Sequence, residues 1–490
     1  MARGFSIFVV MAVTAGCSDA AFLSDSGVTL SGLDGTVRGD PYDGGPRADG
    51  ASGTGDGETS DGPADGGSDP SDSSDLSDAS FDGASDGSEP ADGGAETEDA
   101  GFKPCPPDLF LSSRPAGDLK AGQKQNGEVL HDCDAPRYSI ILPAGVTVKA
   151  TLWGQYLRPG LHIFGPGSRG AVAESISPLQ GAVVTVEFTA DLAGEYFAVV
   201  DQADRHGTAQ FEIGYECLDK CDLRATRYPI VMVHGFSGFL NIGPIEYFYK
   251  VVDTLTPIGY DLHIAVLDAY NHTEVRGPQL AAFIDSVLAK TFASKVNVIA
   301  HSQGCIDARY AVSTLGYGDR VSTLCMVASP HQGTEICDLI LDDPTGIGKG
   351  LMEAMFTVLG VVLDGPEAEQ NAHASFVSLS TKYMRGEFNP KNPDDPRVVY
   401  KSWAGKTCYA WENCGTAVNS YLVPTFEILR AKAGDNDGIL PTESAKWTGF
   451  ESVIAADHFD EVGQIAGMTG SFDHLRFYRG IVESIEADGY

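Results

Sequence analysis

The order of apolar and polar positions changes character several times along the chain. Between Lys103 and about Asp222, short runs of β-branched and aromatic residues alternate with Pro and Gly turns, a pattern that indicates β-strands. The runs are 138–142, 146–152, 183–188 and 195–200. They predict an all-β sandwich of about 110 residues, for which we expect the bounds 103–222.

After Tyr228 the apolar pattern is typical of an α/β fold. The runs 229–233 and 296–300 are continuously apolar, as expected for parallel strands that are buried on both faces. Apolar residues recur at helical spacing between these runs, and 305–315 has the pattern of the next helix. The periodic residues between the runs are Leu280, Phe283, Ile284, Val287 and Leu288. We predict a second domain, 223–490, with a mostly parallel sheet covered by helices on both faces.

The N-terminus, residues 1–17, is typical of an exported protein. An apolar run from Phe5 to Val13 follows Arg3 and is too short to span a bilayer as a mature helix. The tetrapeptide Thr14-Ala15-Gly16-Cys17 resembles a bacterial lipobox, in which the cysteine is lipidated, and Ser18 after it resembles the signal for the outer membrane. We expect a lipoprotein of the outer membrane, attached by acyl chains at Cys17 and facing the periplasm or the cell surface. An ordinary signal peptide and secretion are the alternative.

Charge is concentrated in the next segment, 18–102. The chain has 490 residues and a formal net charge of −35, and 21 of its acidic residues lie between Asp19 and Asp99, against Arg38 and Arg47. An Asp/Gly/Ser-rich segment of this kind buries too little apolar surface to fold, so we expect a disordered tether. Irregular Asp-Gly units leave a calcium-binding repeat as the alternative. The acidity excludes nucleic-acid binding as a main function.

Candidate chemistry begins at the second buried run. The pentapeptide Ala300-His301-Ser302-Gln303-Gly304 lies between a predicted strand and a predicted helix, which is the setting of a nucleophile elbow. The turn exposes the Ser302 hydroxyl and places the backbone N–H of Gln303 at a helix N-terminus, where it can stabilise an oxyanion. Alanine replaces the first glycine of the G-x-S-x-G pattern and is the next smallest residue.

A catalytic serine needs a base and an acid that orients the base, in the chain order Ser, Asp, His. Asp437 lies in the polar turn 434–438, and His458 follows the short apolar run 453–455. His458 closes a strand and begins an acidic loop, which favours it over the other histidines after Ser302. The competing histidines are His331, His373 and His474.

Seven motifs between residues 228 and 477 resemble, in the same order, those of the bacterial true lipases, family I of the α/β-hydrolase superfamily. The motifs are Tyr228-Pro229-Ile230-Val231 with His234-Gly235, Glu274-Val275-Arg276-Gly277 with Gln279-Leu280, Lys295-Val296-Asn297 before His301-Ser302, Arg309-Tyr310, Ser329-Pro330-His331-Gln332-Gly333, Asn436-Asp437-Gly438, and His458 with Asp460-Glu461-Val462 and Gln464. The resemblance implies an α/β-hydrolase fold with a helical lid and a secreted triacylglycerol lipase activity. A dedicated folding chaperone is a common partner in the family.

The resemblance also implies the roles of single residues. Ser302 is the nucleophile, His458 the general base and then acid, and Asp437 the residue that orients His458. The backbone N–H groups of Phe236 and Gln303 form the oxyanion hole.

A structural calcium ion beside the histidine loop is a further implication. The matching ligands are Asp460, Gln464 and the carbonyl of Met468, all oxygen donors. A second carboxylate has no secure match, and Glu412 is the nearest acid in that region. The alternative is that Asp460 and Gln464 cap the following helix.

The cysteines fall into three groups, and export to an oxidising compartment favours disulfides. Cys408 and Cys414 are close enough in sequence to bridge, at positions other than the family's own disulfide. A second group brackets the sandwich with no readable pairing: Cys105, Cys133, Cys217 and Cys221. The third consists of Cys305, Cys325 and Cys337. The chain has ten cysteines, so the number outside Cys17 is odd, and at least one of these is a free thiol or forms an intermolecular bond.

Substrate class depends on the apolar segment 348–363. It is either a buried core helix or, at the place where the family has its lid, an amphipathic cover that opens on lipid. With a lid, long-chain acyl esters at an interface are the expected substrates of a serine lipase. A carboxylesterase or polyester hydrolase with the same triad is the alternative within catalysis.

The third hypothesis is a non-catalytic surface-binding lipoprotein. The sandwich resembles, in Leu142-Pro143-Ala144-Gly145 and Ala193-Gly194-Glu195-Tyr196, the accessory domain of the pre-peptidase C-terminal type. Such a domain is either a spacer or a module that binds a surface or substrate, and the sequence leaves both open.

Overall fold

The computed structural model describes residues 105–202, 207–238, 241–242, 245–342, 346, 350, 353 and 366–490. The signal segment with Cys17 and the acidic linker lie outside the described residues. So does the predicted lid segment 348–363, apart from Gly350 and Glu353. Lipidation, the disordered tether and the lid therefore remain predictions from the sequence.

Nine strands form the predicted β-sandwich. They are β1 (Arg114–Asp118), β2 (Lys124–Val129), β3 (Pro136–Leu142), β4 (Thr147–Gln155), β5 (Pro159–Phe164), β6 (Ala173–Ile176), β7 (Val183–Thr189), β8 (Gly194–Gln202) and β9 (Ala209–Asp219), after a short helix α1 (Leu109–Ser112). One sheet has the order β1-β3-β8-β5-β6 and the other the order β2-β9-β4-β7. Burial alternates along β4 and β7, so every second side chain enters the core between the sheets.

The C-terminal half of the chain contains the predicted mostly parallel sheet. Its strands are β10 (Ile230–Val233), β13 (Leu262–Ala265), β14 (Val296–His301), β15 (Val321–Val327), β16 (Val399–Gly405) and β17 (Phe450–Ile454), besides a short hairpin of β11 (Asn241–Ile242) and β12 (Ile245–Glu246). The sheet order is β13-β10-β14-β15-β16-β17, and each neighbouring pair is parallel. The α/β prediction is confirmed.

Helices cover both faces of this sheet. They are α2 (Val251–Leu255), α3 (Thr273–Thr291), α4 (Gln303–Ser313), α5 (Glu335–Asp342), α6 (Pro366–Leu379), α7 (Thr381–Tyr383), α8 (Asn389–Lys391), α9 (Val423–Lys432), α10 (Thr442–Ala445) and α11 (His474–Ala487). Side chains that alternate along β10 enter two different cores: Val231 packs with residues of α3 and α4, whereas Met232 packs with residues of α2 and α11. Burial on both faces explains the continuously apolar strands. None of the helices in the described ranges is both long and apolar enough to cross a membrane.

Because neighbouring strands are parallel, their carboxyl ends meet at one edge of the sheet. The loop with Phe236 follows β10, and Ser302 follows β14. Asp437 lies in the connection from β16 to β17, and His458 follows β17. The topology therefore collects at one edge the residues that the sequence had singled out.

Three disulfides are present among the described cysteines. They join Cys105 to Cys133, Cys217 to Cys221 and Cys408 to Cys414. The last is the bridge that sequence proximity suggested. Cys305, Cys325 and Cys337 are buried free thiols.

Candidate active site

The predicted nucleophile lies in a strained turn. Ser302 has φ +56° and ψ −129°, a conformation that residues other than glycine rarely adopt. Helix α4 begins at the next residue, and its Gly304 packs so tightly that a Cβ there would lie 2.6 Å from the carbonyl oxygen of His234. The small residue after the elbow is thus required by close contact between α4 and the loop that follows β10.

The structure brings Ser302, His458 and Asp437 into one hydrogen-bonded line. The Ser302 Oγ lies 3.0 Å from His458 Nε2, and His458 Nδ1 lies 2.9 Å from an Asp437 carboxylate oxygen. All three residues are buried. The other Asp437 oxygen accepts the backbone N–H groups of Ile439 and Leu440, at 2.8 and 2.6 Å, which fixes the carboxylate. With Nδ1–H donated to Asp437, Nε2 can accept the hydroxyl proton of Ser302.

The competing histidines lie in other environments. His331 stacks on Trp447 with ring centroids 4.9 Å apart. The Nε2 atom of His474 bonds the carbonyl of Tyr249, and His373 is exposed on α6. The chain-order argument therefore selects the histidine that contacts Ser302.

The two predicted oxyanion-hole residues flank Ser302. Gln303 begins α4, where the first backbone N–H groups have no partner within the helix. The loop that carries Phe236 passes beside the nucleophile, because a Cβ on Gly235 would lie 2.6 Å from the Cβ of Ser302. Both backbone segments are thus next to Ser302.

A buried ion pair supports this loop. Arg276 and Asp307 are fully buried and joined at 2.8 Å, and Arg276 also donates to the carbonyls of His234 (2.9 Å) and Gly235 (3.3 Å). His234 accepts the backbone N–H of Leu267 at 3.1 Å. Burial, followed by the charge of Arg276, lowers the pKa of His234 to about 4, so the imidazole is neutral near pH 7.

A second buried chain of hydrogen bonds joins the loop that follows β10 to His458, the predicted general base. The N–H of Gly235 donates to the Tyr247 hydroxyl at 3.0 Å, and this hydroxyl lies 2.8 Å from His301 Nδ1. His301 Nε2 lies 3.0 Å from Glu461, whose oxygen is also 3.5 Å from His458 Nδ1. Burial, followed by the charge of His458, lowers the pKa of His301 well below its usual value. The neutral tautomer that accepts from Tyr247 therefore donates to Glu461.

The sequence did not single out Tyr247. It lies in an aromatic run without a clear period, 54 residues before its partner His301. Its buried hydroxyl is visible only when the β10 loop and β14 are placed together.

The residues expected to hold calcium fit a cation in part. Asp460 lies beside Asp457, and burial followed by the charge of Asp457 raises the pKa of Asp460 to about 7. A hard cation would relieve this crowding of carboxylates. The Nε2 of Gln464 donates to the carbonyls of Glu246 and Tyr247, bonds that leave its side-chain oxygen unused.

Glu412, the nearest acid in sequence, and the alternative of helix capping both disagree with the structure. Glu412 is engaged elsewhere, because one oxygen bonds Arg430 at 2.7 Å and the other accepts the N–H of Tyr409 at 2.9 Å. Asp460 and Gln464 do not cap the next α-helix either, since the N-cap of α11 is Asp473. In the region before Asp437, the side-chain amide of Asn419 donates to Asp460 at 3.1 Å.

Comparison with known proteins agrees with this geometry. A sequence profile described as the alpha/beta hydrolase fold matches residues 228–343. A triacylglycerol lipase of Vibrio cholerae is 30% identical over 276 residues, which are 52% of this chain and 86% of that protein. Triacylglycerol lipases of Pseudarthrobacter phenanthrenivorans and Burkholderia plantarii are 33% identical, over 50% of this chain and 92% and 82% of theirs. The chain therefore belongs to the bacterial lipase family of the α/β-hydrolase fold.

Proposed function

We propose that this chain is a serine lipase that hydrolyses the acyl esters of triacylglycerols through an acyl-enzyme. The observation that carries the proposal is the line from Ser302 through His458 to Asp437 on a strained strand–turn–helix elbow. The relatives named triacylglycerol lipase support the choice of ester.

Acylation uses the bond between Ser302 and His458. The Ser302 Oγ attacks the ester carbonyl carbon while its proton passes to His458 Nε2. The carbonyl oxygen becomes an oxyanion beside the backbone N–H groups of Phe236 and Gln303. When this intermediate collapses, the ester C–O bond breaks and the leaving alcohol takes the proton from His458.

Deacylation repeats these steps with water. His458 accepts a proton from water as the oxygen attacks the acyl carbon, and then returns the proton to Ser302 Oγ as the fatty acid leaves. Asp437 stabilises the imidazolium in both halves and holds Nδ1–H in place at 2.9 Å. Its own orientation is fixed by the two backbone N–H groups that it accepts.

A calcium ion is the proposed structural cofactor. Asp460, the side-chain oxygen of Gln464 and the carbonyl of Met468 would hold it, and a bound ion would supply positive charge that neutralises the acidic pair beside His458. It takes no part in proton transfer. A rise in thermal stability with calcium, lost in Asp460→Asn, tests this assignment without an activity assay.

The proposed location is outside the cytoplasm, with the folded part tethered by acyl chains at Cys17 to the outer membrane. The apolar N-terminal run and the lipobox-like residues support it. Mass spectrometry of the membrane-extracted protein tests it: an acylated N-terminal cysteine is expected, and an unmodified mature N-terminus indicates secretion. A folding chaperone remains a further proposed partner.

The activity is tested by comparing two substrates. We expect faster hydrolysis of emulsified triolein than of soluble p-nitrophenyl acetate, and loss of both activities in Ser302→Ala. Preference for the soluble ester would replace the lipase by a carboxylesterase with the same triad. Absence of Ser302-dependent hydrolysis would leave a surface-binding protein.

A further inference from the structure

A small loop closed by a disulfide presents one exposed tryptophan. Cys408 and Cys414 form the bridge, and between them Trp411 is 77% exposed. All four tryptophans lie within the described residues, and the other three are half-buried or buried. An exposed side chain of this size leaves a large apolar area in water.

The tryptophan is supported from below by other rings. The Trp411 ring stacks on Tyr409, with centroids 4.3 Å apart and an interplanar angle of 13°. Tyr409 in turn meets Phe426 edge-on at 5.5 Å, and Phe426 is buried in α9. Trp411 thus lies at the exposed end of a column of rings that begins in the core.

The loop presents its ring without a free charge. Its one carboxylate, Glu412, accepts from Arg430 and from the N–H of Tyr409, so its charge is balanced at the base of the loop. A tip that carries an amphipathic indole and no unpaired charge is suited to the boundary between water and lipid, where tryptophan is enriched.

The position of the loop joins it to the active site. The loop follows the carboxyl end of β16, the same edge of the sheet at which Ser302 follows β14. Further along, Thr416 bonds Ser471 at 3.0 Å, which ties the loop to the segment after His458. That segment carries Met468, a second exposed apolar side chain.

We propose that the loop Cys408–Cys414 docks on a lipid–water interface, with Trp411 entering the lipid beside the catalytic edge. The inference rests on the proposed lipase function, because it holds that the active site meets its substrate in a lipid aggregate and not as single dissolved molecules. A single exposed ring whose one neighbouring carboxylate is already paired favours a lipid surface over a protein partner, whose recognition requires a larger interface.

The first test detects entry of the ring into lipid. Full-length protein carrying Ser302→Ala, which cannot consume its target, is mixed with vesicles of dioleoyl phosphatidylcholine or of its dibrominated analogue. Bromine quenches tryptophan fluorescence at short range, so we expect quenching that disappears when Trp411→Phe is added. Equal quenching with and without Trp411, or no quenching at all, overturns the proposal. An acyl group at Cys17 does not change this comparison, because both proteins carry it.

The second test separates docking from chemistry. We expect Trp411→Ala to lower the rate on a limiting amount of emulsified triolein about tenfold, which is the ratio expected when a large apolar side chain loses its burial. Its kcat/KM on soluble p-nitrophenyl acetate stays within twofold, and Trp411→Phe keeps most of the rate on emulsion. The matched control is Tyr156→Ala, which removes another exposed aromatic side chain from the sandwich and leaves both rates unchanged.

The outcomes distinguish the two proposals. An equal loss on both substrates in Trp411→Ala means a structural role and overturns docking, as does an unchanged rate on emulsion. If wild type hydrolyses neither substrate, the lipase proposal fails, and the vesicle quenching alone decides whether the loop enters lipid.

Discussion

The hydroxyl of Tyr247 is the most informative single group to remove. It accepts the N–H of Gly235 at 3.0 Å and contacts His301 Nδ1 at 2.8 Å in a buried site. Tyr247→Phe keeps the ring and leaves these two polar groups without this partner. Each buried polar group that loses its hydrogen bond costs about 1–3 kcal/mol, so for two groups we expect a loss of about 2–6 kcal/mol in the free energy of unfolding.

The same substitution is expected to slow catalysis. Gly235 directly precedes Phe236, the residue proposed to donate one N–H to the oxyanion. One such donor is worth roughly 100-fold to 1,000-fold in kcat. Loosening the loop without deleting the donor should cost part of this, roughly 10-fold to 100-fold on soluble p-nitrophenyl acetate. KM should change little, because substrate and transition state differ mainly at the oxyanion.

A matched control is available in the same core. Among the described residues, the hydroxyl of Tyr478 is buried and has no hydrogen-bond partner. Tyr478→Phe should therefore leave the free energy of urea unfolding within about 0.5 kcal/mol, or raise it. If Tyr247→Phe behaves like Tyr478→Phe in both unfolding and kcat, the hydroxyl does not hold the oxyanion loop and the reasoning is refuted.

Three further predictions concern charges. Asp307→Asn should lower the free energy of unfolding in urea by about 3–5 kcal/mol, since it leaves the buried guanidinium of Arg276 without a counter-charge. A loss below about 1 kcal/mol contradicts this. Folding lowers the pKa of His234 to about 4, so the contribution of the neutral imidazole to stability is complete above pH 6.5 and is lost as pH falls toward 4. Over that window the free energy of unfolding of wild type should fall by about 3 kcal/mol relative to that of His234→Gln. A difference between the two proteins that stays constant with pH rules this out. Removing calcium with a chelator should lower Tm, and Asp460→Asn should abolish the effect; equal shifts in both proteins would place the ion elsewhere.

The sequence predicted the parts of the site that depend on contiguous residues. The elbow around Ser302 needs only a strand, a turn and a helix in succession, and the structure has β14 and α4 on either side of it. The fold class followed in the same way, because strands buried on both faces are continuously apolar. Asp437 and His458 required the chain order of the fold in addition.

The remaining features depend on contacts between distant segments. His301 and Glu461 are separated by 160 residues, and no local pattern pairs them. Glu412 illustrates the converse, since it lies near the expected metal region in sequence, yet its hydrogen bonds at the start of a short helical turn direct it to Arg430. Sequence proximity predicted the Cys408–Cys414 bridge but did not predict that the enclosed tryptophan would be supported by a column of rings.

Covalent labelling tests the central claim most directly. The intact protein is treated with a p-nitrophenyl alkylphosphonate that carries a long chain, and the adduct is located by peptide mass spectrometry while hydrolysis of triolein is followed. The account predicts one adduct, on Ser302, with activity lost in proportion to labelling and labelling greatly slowed in His458→Ala. An adduct on another residue, or full activity after Ser302 is labelled, would contradict it.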